Sequence, residues 1–175
     1  MSHLPAQQPK DNTYLETPGI CRSLERLQKD DEEGVVTGIW IAILASVFGP
    51  KEEYMIRAQS LSPGGVTDLL GLQFVKQGTK YREVQFLVVQ AKAPIKETRD
   101  AAWEAAKDQL LDYLPHLEPK RKHHKYGIVA VGRWAQFVLY DEDNRRLTAL
   151  HDGHLHVERQ FKDVLDLLHY IRDNH

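Results

Sequence analysis

Hydrophobic and polar residues follow one another along the chain in patterns that alternate between helix and strand. Apolar residues recur at helical spacing over residues 37–47, where Thr37 is placed to cap the helix, and again over residues 98–114. Three runs with the composition of β-strands lie between these helices, separated by turns that contain glycine, at 54–59, 66–75 and 84–93. The pattern therefore predicts a helix, a three-strand meander and a second helix.

Further elements are indicated on either side of this core. Apolar runs at 126–131 and 135–140 are typical of strands, and an amphipathic stripe at 160–171 predicts a closing helix. Residues 21–33 predict a short surface helix, whereas residues 1–19 are polar, contain prolines and are expected to form a disordered tail. This order of elements predicts an α/β fold, a mixed sheet flanked by helices.

Size and composition suit one globular domain over residues 20–175. Of the 175 residues, 42% are hydrophobic and 27% are charged, and the formal net charge of -2 argues against a protein that coats nucleic acid through bulk charge. Cys21 is the single cysteine, which excludes an internal disulfide. The sequence contains no secretory signal and no membrane-spanning run, so we expect an intracellular protein, cytoplasmic or nuclear, with no membrane partner.

Candidate chemistry lies where the third predicted strand ends. The apolar run 86–89 continues into Gln90, Ala91 and Lys92, and because side chains alternate along a strand, Gln90 and Lys92 share one face. An ammonium at the end of a buried strand costs desolvation free energy unless a charged partner or a cleft receives it. Asp68, in the preceding strand, can face both polar residues. The alternative is a core strand that simply reaches solvent at Lys92.

An acid, a polar oxygen donor and a lysine on adjacent strands resemble the active site of the PD-(D/E)XK nuclease superfamily. The resemblance covers residues 37–140 and implies a restriction endonuclease-like core with the element order predicted above. It implies a catalytic set of Asp68, Gln90 and Lys92, with the first two in metal-binding positions. Gln90 stands where the family has a second acid. The Mrr-type branch is similar in this respect, and also in a Gly-Gly pair before the acid, here at 64–65.

A second motif lies in the helix that follows the lysine. Gln109 and Tyr113 resemble the Q-x-x-x-Y element of type I restriction subunits and RecB-like nucleases, and their i, i+4 spacing places them on one helix face. The resemblance implies that this face approaches the active site and the substrate backbone. The alternative is a solvated glutamine beside a tyrosine that packs its ring and exposes its hydroxyl.

The resemblance also implies a divalent cation, Mg²⁺ or Mn²⁺, which takes oxygen ligands. Asp68 would bind the ion directly, the backbone carbonyl of Ala91 would add a ligand, and Gln90 would offer its amide oxygen. Glu53, at the start of the preceding strand, is a further candidate ligand that would compensate for the missing acid. Lys92 would orient the attacking water and offset charge on the phosphorus.

Two other clusters have candidate roles. The basic loop (residues 120–125) contains Lys120, Arg121, Lys122 and Lys125, which we interpret as substrate-binding residues that grip a nucleic-acid backbone, with a solvated loop as the alternative. His151, His154 and His156 have no cysteine nearby and no helical i, i+4 pair, so zinc binding is not favoured.

The sequence alone leaves three classes of function open. The first is a metal-dependent nuclease that hydrolyses phosphodiester bonds of nucleic acid, with DNA and RNA both open. The second is a nuclease-fold protein that has lost catalysis and serves as a nucleic-acid-binding or protein-interaction module. The third is a structural protein unrelated to nucleic acid. Gln90, which replaces the usual acid, is the residue that distinguishes the first two classes. A homodimer is compatible with each class.

Overall fold

The architecture is taken from a computed structural model, which describes residues 4–8, 13–62, 65–120 and 123–175. Within these residues the chain forms a seven-stranded mixed sheet with helices on both faces. The strands are β1 (Tyr54–Ser62), β2 (Gly65–Gln77), β3 (Lys80–Lys92), β4 (Tyr126–Val131), β5 (Trp134–Asp141), β6 (Arg146–Ala149) and β7 (Leu155–His156). The α-helices are α1 (Pro18–Arg26), α2 (Glu33–Val47), α3 (Asp100–Tyr113) and α4 (Phe161–Asn174). The mixed α/β class predicted from the pattern is confirmed.

Strand β3 lies in the middle of the sheet, whose order is β1-β2-β3-β4-β5-β6, with β7 paired to β5. Strands β1, β2 and β3 form an antiparallel meander. Strands β3 and β4 are parallel, with Leu87 opposite Tyr126 and Lys92 opposite Val131, so the connection between them crosses over through α3. Strands β4, β5 and β6 are antiparallel again.

The alternation along β3 divides the apolar core between the two faces of the sheet. Leu87 and Val89 point to the face covered by α2 and α4, where Trp40 and Phe161 are fully buried. Val88 points to the opposite face, which is covered by α3. Gln90 and Lys92 follow Val88 at the same parity and therefore belong to the α3 face.

Several element boundaries differ from those predicted. Helix α2 begins at Glu33, and Thr37 lies inside it with its hydroxyl donating to the Glu33 carbonyl, so Thr37 is not the cap. The hairpin between β2 and β3 is tighter than expected, with only residues 78–79 between the strands. Strands β6 and β7 were not predicted, because runs of four and two residues carry too little periodicity.

The expectation of a disordered tail over residues 1–19 is wrong at Gln8 and over residues 13–19. Tyr14 and Leu15 are buried, and the Tyr14 hydroxyl donates to the Val157 carbonyl at 2.5 Å. Gln8 also donates its amide to Asp163 of α4 at 3.0 Å. Two large side chains are enough to anchor a polar segment against α4. In the described part of the chain, no helix is both long and apolar enough to cross a membrane.

Candidate active site where β2 and β3 separate

Hydrogen bonds from side chains replace the backbone-to-backbone hydrogen bonds at the point where β2 and β3 separate. The last paired positions are Leu69 and Val89. Beyond them the Ala91 N–H donates to the Asp68 carboxylate at 2.7 Å, and the Asp68 N–H donates to the Gln90 amide oxygen at 3.3 Å. The structure thus brings Asp68, Gln90 and Ala91 together, and it does so with bonds that a regular sheet would not contain.

The other neighbour of Asp68, strand β1, is irregular at the same level. The register has Ala58 opposite Leu69 and Ser60 opposite Thr67, whereas Gln59 and Asp68, which face each other between these positions, do not form a ladder pair. Gln59 has φ 49, a left-handed conformation that costs free energy for a residue with a side chain. Asp68 is therefore flanked by irregular pairing on both sides.

Helix α3 presents the Q-x-x-x-Y face to this region. The Gln90 amide nitrogen donates to the Gln109 amide oxygen at 3.3 Å. Tyr113 is buried one turn later, and its hydroxyl lies so close to Gly65 that a Cβ there would sit 3.2 Å from it. Burial, followed by the nearby negative charge of Asp68, raises the pKa of Tyr113. Both members of the motif thus contact the strands that carry Asp68 and Gln90.

Lys92 lies at the end of β3 with only 12% of its side chain exposed. Its ammonium is 3.8 Å from the carboxylate of Glu33, in the first turn of α2. Glu33 was not predicted as a site residue, because the acidic run that contains it is typical of a solvated face. An acid at the start of the helix that precedes the meander was the signal available. Glu33 therefore gives Lys92 an acidic neighbour, in a site where Asp68 is otherwise the one carboxylate that the structure describes.

A surface cleft opens beside Lys92. This α3 cleft has a volume of about 570 Å³, and its charged and polar lining residues are Lys92, Lys96, Arg99, Asp108 and Gln109. Lys96 and Arg99 come from the segment between β3 and α3 and were not predicted, since nothing in the local pattern shows which side of that connection faces the site. The cleft gathers three cations at the end of the strand that carries Gln90.

The oxygen donors at the site suit a hard cation that is shared with a substrate. Within the described ranges, no group of three or more His, Cys, Asp or Glu side chains is placed to hold a metal ion. The set at hand is the Asp68 carboxylate, the Gln90 amide oxygen and the Ala91 carbonyl at the same point of the sheet. Mg²⁺ typically takes one or two carboxylates together with substrate phosphates, so these donors fit it.

Glu53 is not part of this group. It lies just before β1, and its carbonyl accepts the Phe74 N–H near the far end of β2. Six residues of strand separate Phe74 from Asp68, which corresponds to about 20 Å. The expectation that Glu53 supplies the missing ligand is therefore wrong for this structure, because the antiparallel register of β1 and β2 carries it to the opposite end of the sheet.

The described residues of the basic loop also lie away from the site. Lys125 is 1% exposed, and its ammonium bonds to the Lys120 carbonyl and the Glu142 carboxylate, so it is not available to a phosphate. Its predicted role in substrate binding is wrong, because the chain buries it as one half of an ion pair. Lys120 is exposed, whereas Arg121 and Lys122 lie outside the described residues. His123 of this loop contacts the Gln85 carbonyl, about 23 Å along β3 from Lys92.

The three histidines of the 151–156 segment have separate partners. His151 accepts the Phe137 N–H, His154 stacks on Trp103 at 3.6 Å between ring centroids, and His156 accepts the Glu158 N–H. Their ring nitrogens and ring faces are thus engaged by different neighbours.

No protein-family model, curated protein or solved structure gives a significant match to this chain. The case for a function therefore depends on the residues themselves. Asp68, Gln90, Gln109 and Tyr113 form one contiguous group, and Lys92 lies on the same face and lines the α3 cleft with Gln109. Glu53 lies elsewhere, and so do Lys125 and His123 of the basic loop.

Proposed function

We propose that this protein is a metal-dependent nuclease of the PD-(D/E)XK type, which hydrolyses phosphodiester bonds of nucleic acid with Asp68, Gln90 and Lys92 as its catalytic set. The observation that carries the proposal is the junction of Asp68 and Gln90 where β2 and β3 separate, with Lys92 next on the same face. Buried polar groups at the end of a central strand cost free energy, which favours a functional reason for their presence.

The order and direction of the strands support the same proposal. A helix, an antiparallel meander, a crossover helix and a fourth strand parallel to the third is the arrangement expected for a restriction endonuclease-like core. In that arrangement the acid lies on the second strand and the lysine on the third, as Asp68 and Lys92 do here. Fold alone does not imply activity, so the side chains carry the argument.

Each residue has a definite task in the proposed reaction. Mg²⁺ or Mn²⁺, when bound, would polarise a phosphoryl oxygen and lower the pKa of water. Asp68, the Ala91 carbonyl and the Gln90 amide oxygen would hold that ion. Lys92 orients the attacking water and offsets the charge that develops on the phosphate. Gln109 and Tyr113 position the sugar-phosphate backbone on the α3 face.

Two substitutions test the proposal directly. Asp68→Asn and Lys92→Ala should each lower cleavage of plasmid DNA or structured RNA in Mn²⁺ by about 100-fold or more, the cost typical of removing a group that stabilises a transition state. The matched control is Lys76→Ala, which removes an exposed lysine near the hairpin tip and should leave the rate unchanged. Cleavage by both site variants at the wild-type rate would refute the proposal.

A catalytically inactive nucleic-acid-binding module is the second candidate, and one observation favours it. Both polar ends of the Gln90 amide are already bonded within the protein, to Asp68 and Gln109, and the neutral amide provides no negative charge for a metal ion. This candidate predicts that the wild-type protein binds nucleic acid in Mn²⁺ without cleaving it. Isothermal titration with Mn²⁺ and a cleavage assay on the same preparation distinguish the two.

A further inference from the structure

The hydrogen bonds of Gln90 determine the orientation of the Gln109 amide. The Asp68 N–H needs an acceptor, and the Gln90 oxygen provides it at 3.3 Å. The Gln90 nitrogen therefore faces Gln109, which must present its oxygen to accept the bond at 3.3 Å. An amide that accepts on one side carries its two N–H donors on the other. Gln109 also lines the α3 cleft, and its N–H donors are the part of its amide that the bond to Gln90 does not engage.

The rest of the α3 cleft is dominated by donors as well. Lys92, Lys96 and Arg99 provide positive charge and N–H groups, and among the lining residues that the structure describes Asp108 is the single acid. Glu33, 3.8 Å from the Lys92 ammonium, offsets one of the three positive charges and Asp108 offsets another, which leaves a local excess of one positive charge. A phosphate group, with up to two negative charges and with oxygens that only accept, complements such a surface.

The segment that carries Lys96 and Arg99 is firmly anchored. The Glu97 carboxylate accepts the Arg133 N–H at 2.8 Å, and the Trp103 indole N–H donates to the Glu97 carbonyl at 3.0 Å. The Lys96 N–H closes a tight turn on the Ala93 carbonyl at 3.0 Å. The cations are thus held by a rigid connection, which lowers the entropy lost when a ligand orders them.

We propose that the α3 cleft is a phosphate-binding subsite for the nucleic-acid substrate, with Lys96 and Arg99 as its cationic contacts, and that Gln90 is the positioning residue that turns the donors of Gln109 into it. This inference rests on the proposed function, since it places a second phosphate beside the one that is cleaved. The same phosphate chemistry is offered by a terminal phosphomonoester and by an internal phosphodiester.

The neutral amide at position 90 has a specific advantage in this arrangement. A carboxylate there would accept the Asp68 N–H equally well, but its second oxygen would require a donor from Gln109. The Gln109 amide would then reverse and present its oxygen to the α3 cleft, where it would repel a phosphate. Gln90 therefore favours phosphate binding at the point where a carboxylate would favour a metal ion.

The first experiment measures binding without metal. Fluorescence anisotropy with a single-stranded ten-nucleotide DNA in EDTA should show that Lys96→Ala and Arg99→Ala each weaken binding about five- to tenfold and lower the slope of log K against log salt by about one. Lys76→Ala is the matched control and should change neither quantity. Wild-type affinity and an unchanged slope in both cleft variants would overturn the proposal. Comparing 5′-phosphorylated, 3′-phosphorylated and unphosphorylated DNA distinguishes a terminal from an internal phosphate.

The second experiment isolates the positioning role of Gln90. Gln90→Glu should weaken the same binding about tenfold, and this loss should largely disappear in the Gln109→Met background, where no amide is left to reverse. If the carboxylate introduced by Gln90→Glu acted on the phosphate by itself, the loss would persist in that background and the positioning role would be refuted. A double-mutant cycle gives the coupling directly. Circular dichroism and unfolding curves confirm that each variant is folded.

The outcomes separate this inference from the proposed function. Metal-independent phosphate binding that depends on Lys96, Arg99 and Gln90, with no cleavage in Mn²⁺, would support the subsite and reject the nuclease. Cleavage that requires Asp68 and Lys92 while ignoring Lys96 and Arg99 would support the nuclease and reject the subsite.

Discussion

Gly132 shows how a single residue supports the site from a distance. It has φ +54, and a Cβ there would lie 2.8 Å from the Glu97 Cγ and Cδ atoms, which is too close for real atoms. The Glu97 carboxylate accepts the Arg133 N–H in the turn that follows Gly132, and Glu97 belongs to the segment that lines the α3 cleft. The absence of a side chain at position 132 is what allows the two segments to approach.

Gly132→Ala should destabilise the protein by about 2–3 kcal/mol, because left-handed strain adds to the lost bond of the Glu97 carboxylate. Gly153→Ala is the matched control, since Gly153 has φ +63 and open space around its Cβ position. It should cost only about 1 kcal/mol. Urea unfolding midpoints at equal m-values give both numbers. Equal losses would show that Glu97 moves aside freely.

Gln90→Glu should tighten Mn²⁺ binding about tenfold, equivalent to about 1.4 kcal/mol, because a second carboxylate adds Coulomb attraction beside Asp68. Isothermal titration calorimetry measures the change. Gln77→Glu, at the exposed far end of β2, controls for the change in net charge. Unchanged Mn²⁺ affinity would show that the amide at position 90 does not face the cation.

Among individual residues, the sequence predicts some members of the candidate site and not others. Asp68, Gln90 and Lys92 could be predicted because alternation along a strand sets their face, and Gln109 and Tyr113 because helical spacing sets theirs. Glu33, Lys96 and Arg99 reach the site through tertiary packing that local periodicity does not encode. Lys125 was placed wrongly since nothing in the basic loop reveals the Glu142 carboxylate that pairs with it.

Among the elements, helix α1 depends on a residue from the opposite part of the chain. One guanidinium nitrogen of Arg133, in the turn between β4 and β5, donates to the Leu24 and Leu27 carbonyls at 2.7 and 2.9 Å. These carbonyls lie at the end of α1, where the last carbonyls of a helix lack a full set of helical N–H partners. Arg133 also pairs with Glu158 at 3.4 Å.

Arg133→Ala should cost about 2–3 kcal/mol of stability, since buried carbonyls lose charge-assisted hydrogen bonds. Hydrogen exchange should accelerate in the last turn of α1 more than in α3. Arg133→Lys is the informative companion, because an ammonium cannot reproduce the fork that reaches both carbonyls and Glu158. Equal protection of α1 in wild type and Arg133→Ala would show that packing of Leu24 alone holds the helix.

The long elements could be predicted and the short ones could not. Strand β4 and helix α3 have enough periodic positions for a pattern to emerge, whereas β6 and β7 depend on pairing with β5. The segment around Tyr14 was misjudged because its order comes from tertiary anchors near α4 and not from a local pattern.

For the whole molecule, histidines with lowered pKa values couple stability to pH, and His156 is the buried one among the three concerned. Burial, with the nearby Arg133 and Arg159 cations, lowers the pKa of His156 to about 4. Burial also lowers the pKa of His154 and of His175. In the unfolded chain these side chains titrate near pH ~6.5. Between about pH 6.5 and 4 the unfolded state binds more protons than the folded state, so stability falls as the pH falls through this window.

His156→Asn should flatten this pH dependence, because the Asn oxygen can accept the Glu158 N–H without titrating. We expect the wild type to lose about 3 kcal/mol more than the variant between about pH 7 and pH 4, from a pKa shift of roughly two and a half units. Urea unfolding at closely spaced pH values measures the two slopes. Parallel slopes would assign the acid sensitivity to other groups.

The distance between the described residues of the basic loop and the candidate site sets a minimum length for any ligand that contacts both. Lys120 is exposed, and His123 of its loop meets β3 about 23 Å along the strand from Lys92. Duplex nucleic acid rises about 3.4 Å per base pair, so a footprint covering both positions spans about seven base pairs. Lys120→Ala should therefore weaken binding of a twelve-base-pair duplex and leave a four-base-pair hairpin unaffected. In that case, ligand length decides whether the loop contributes to binding at all.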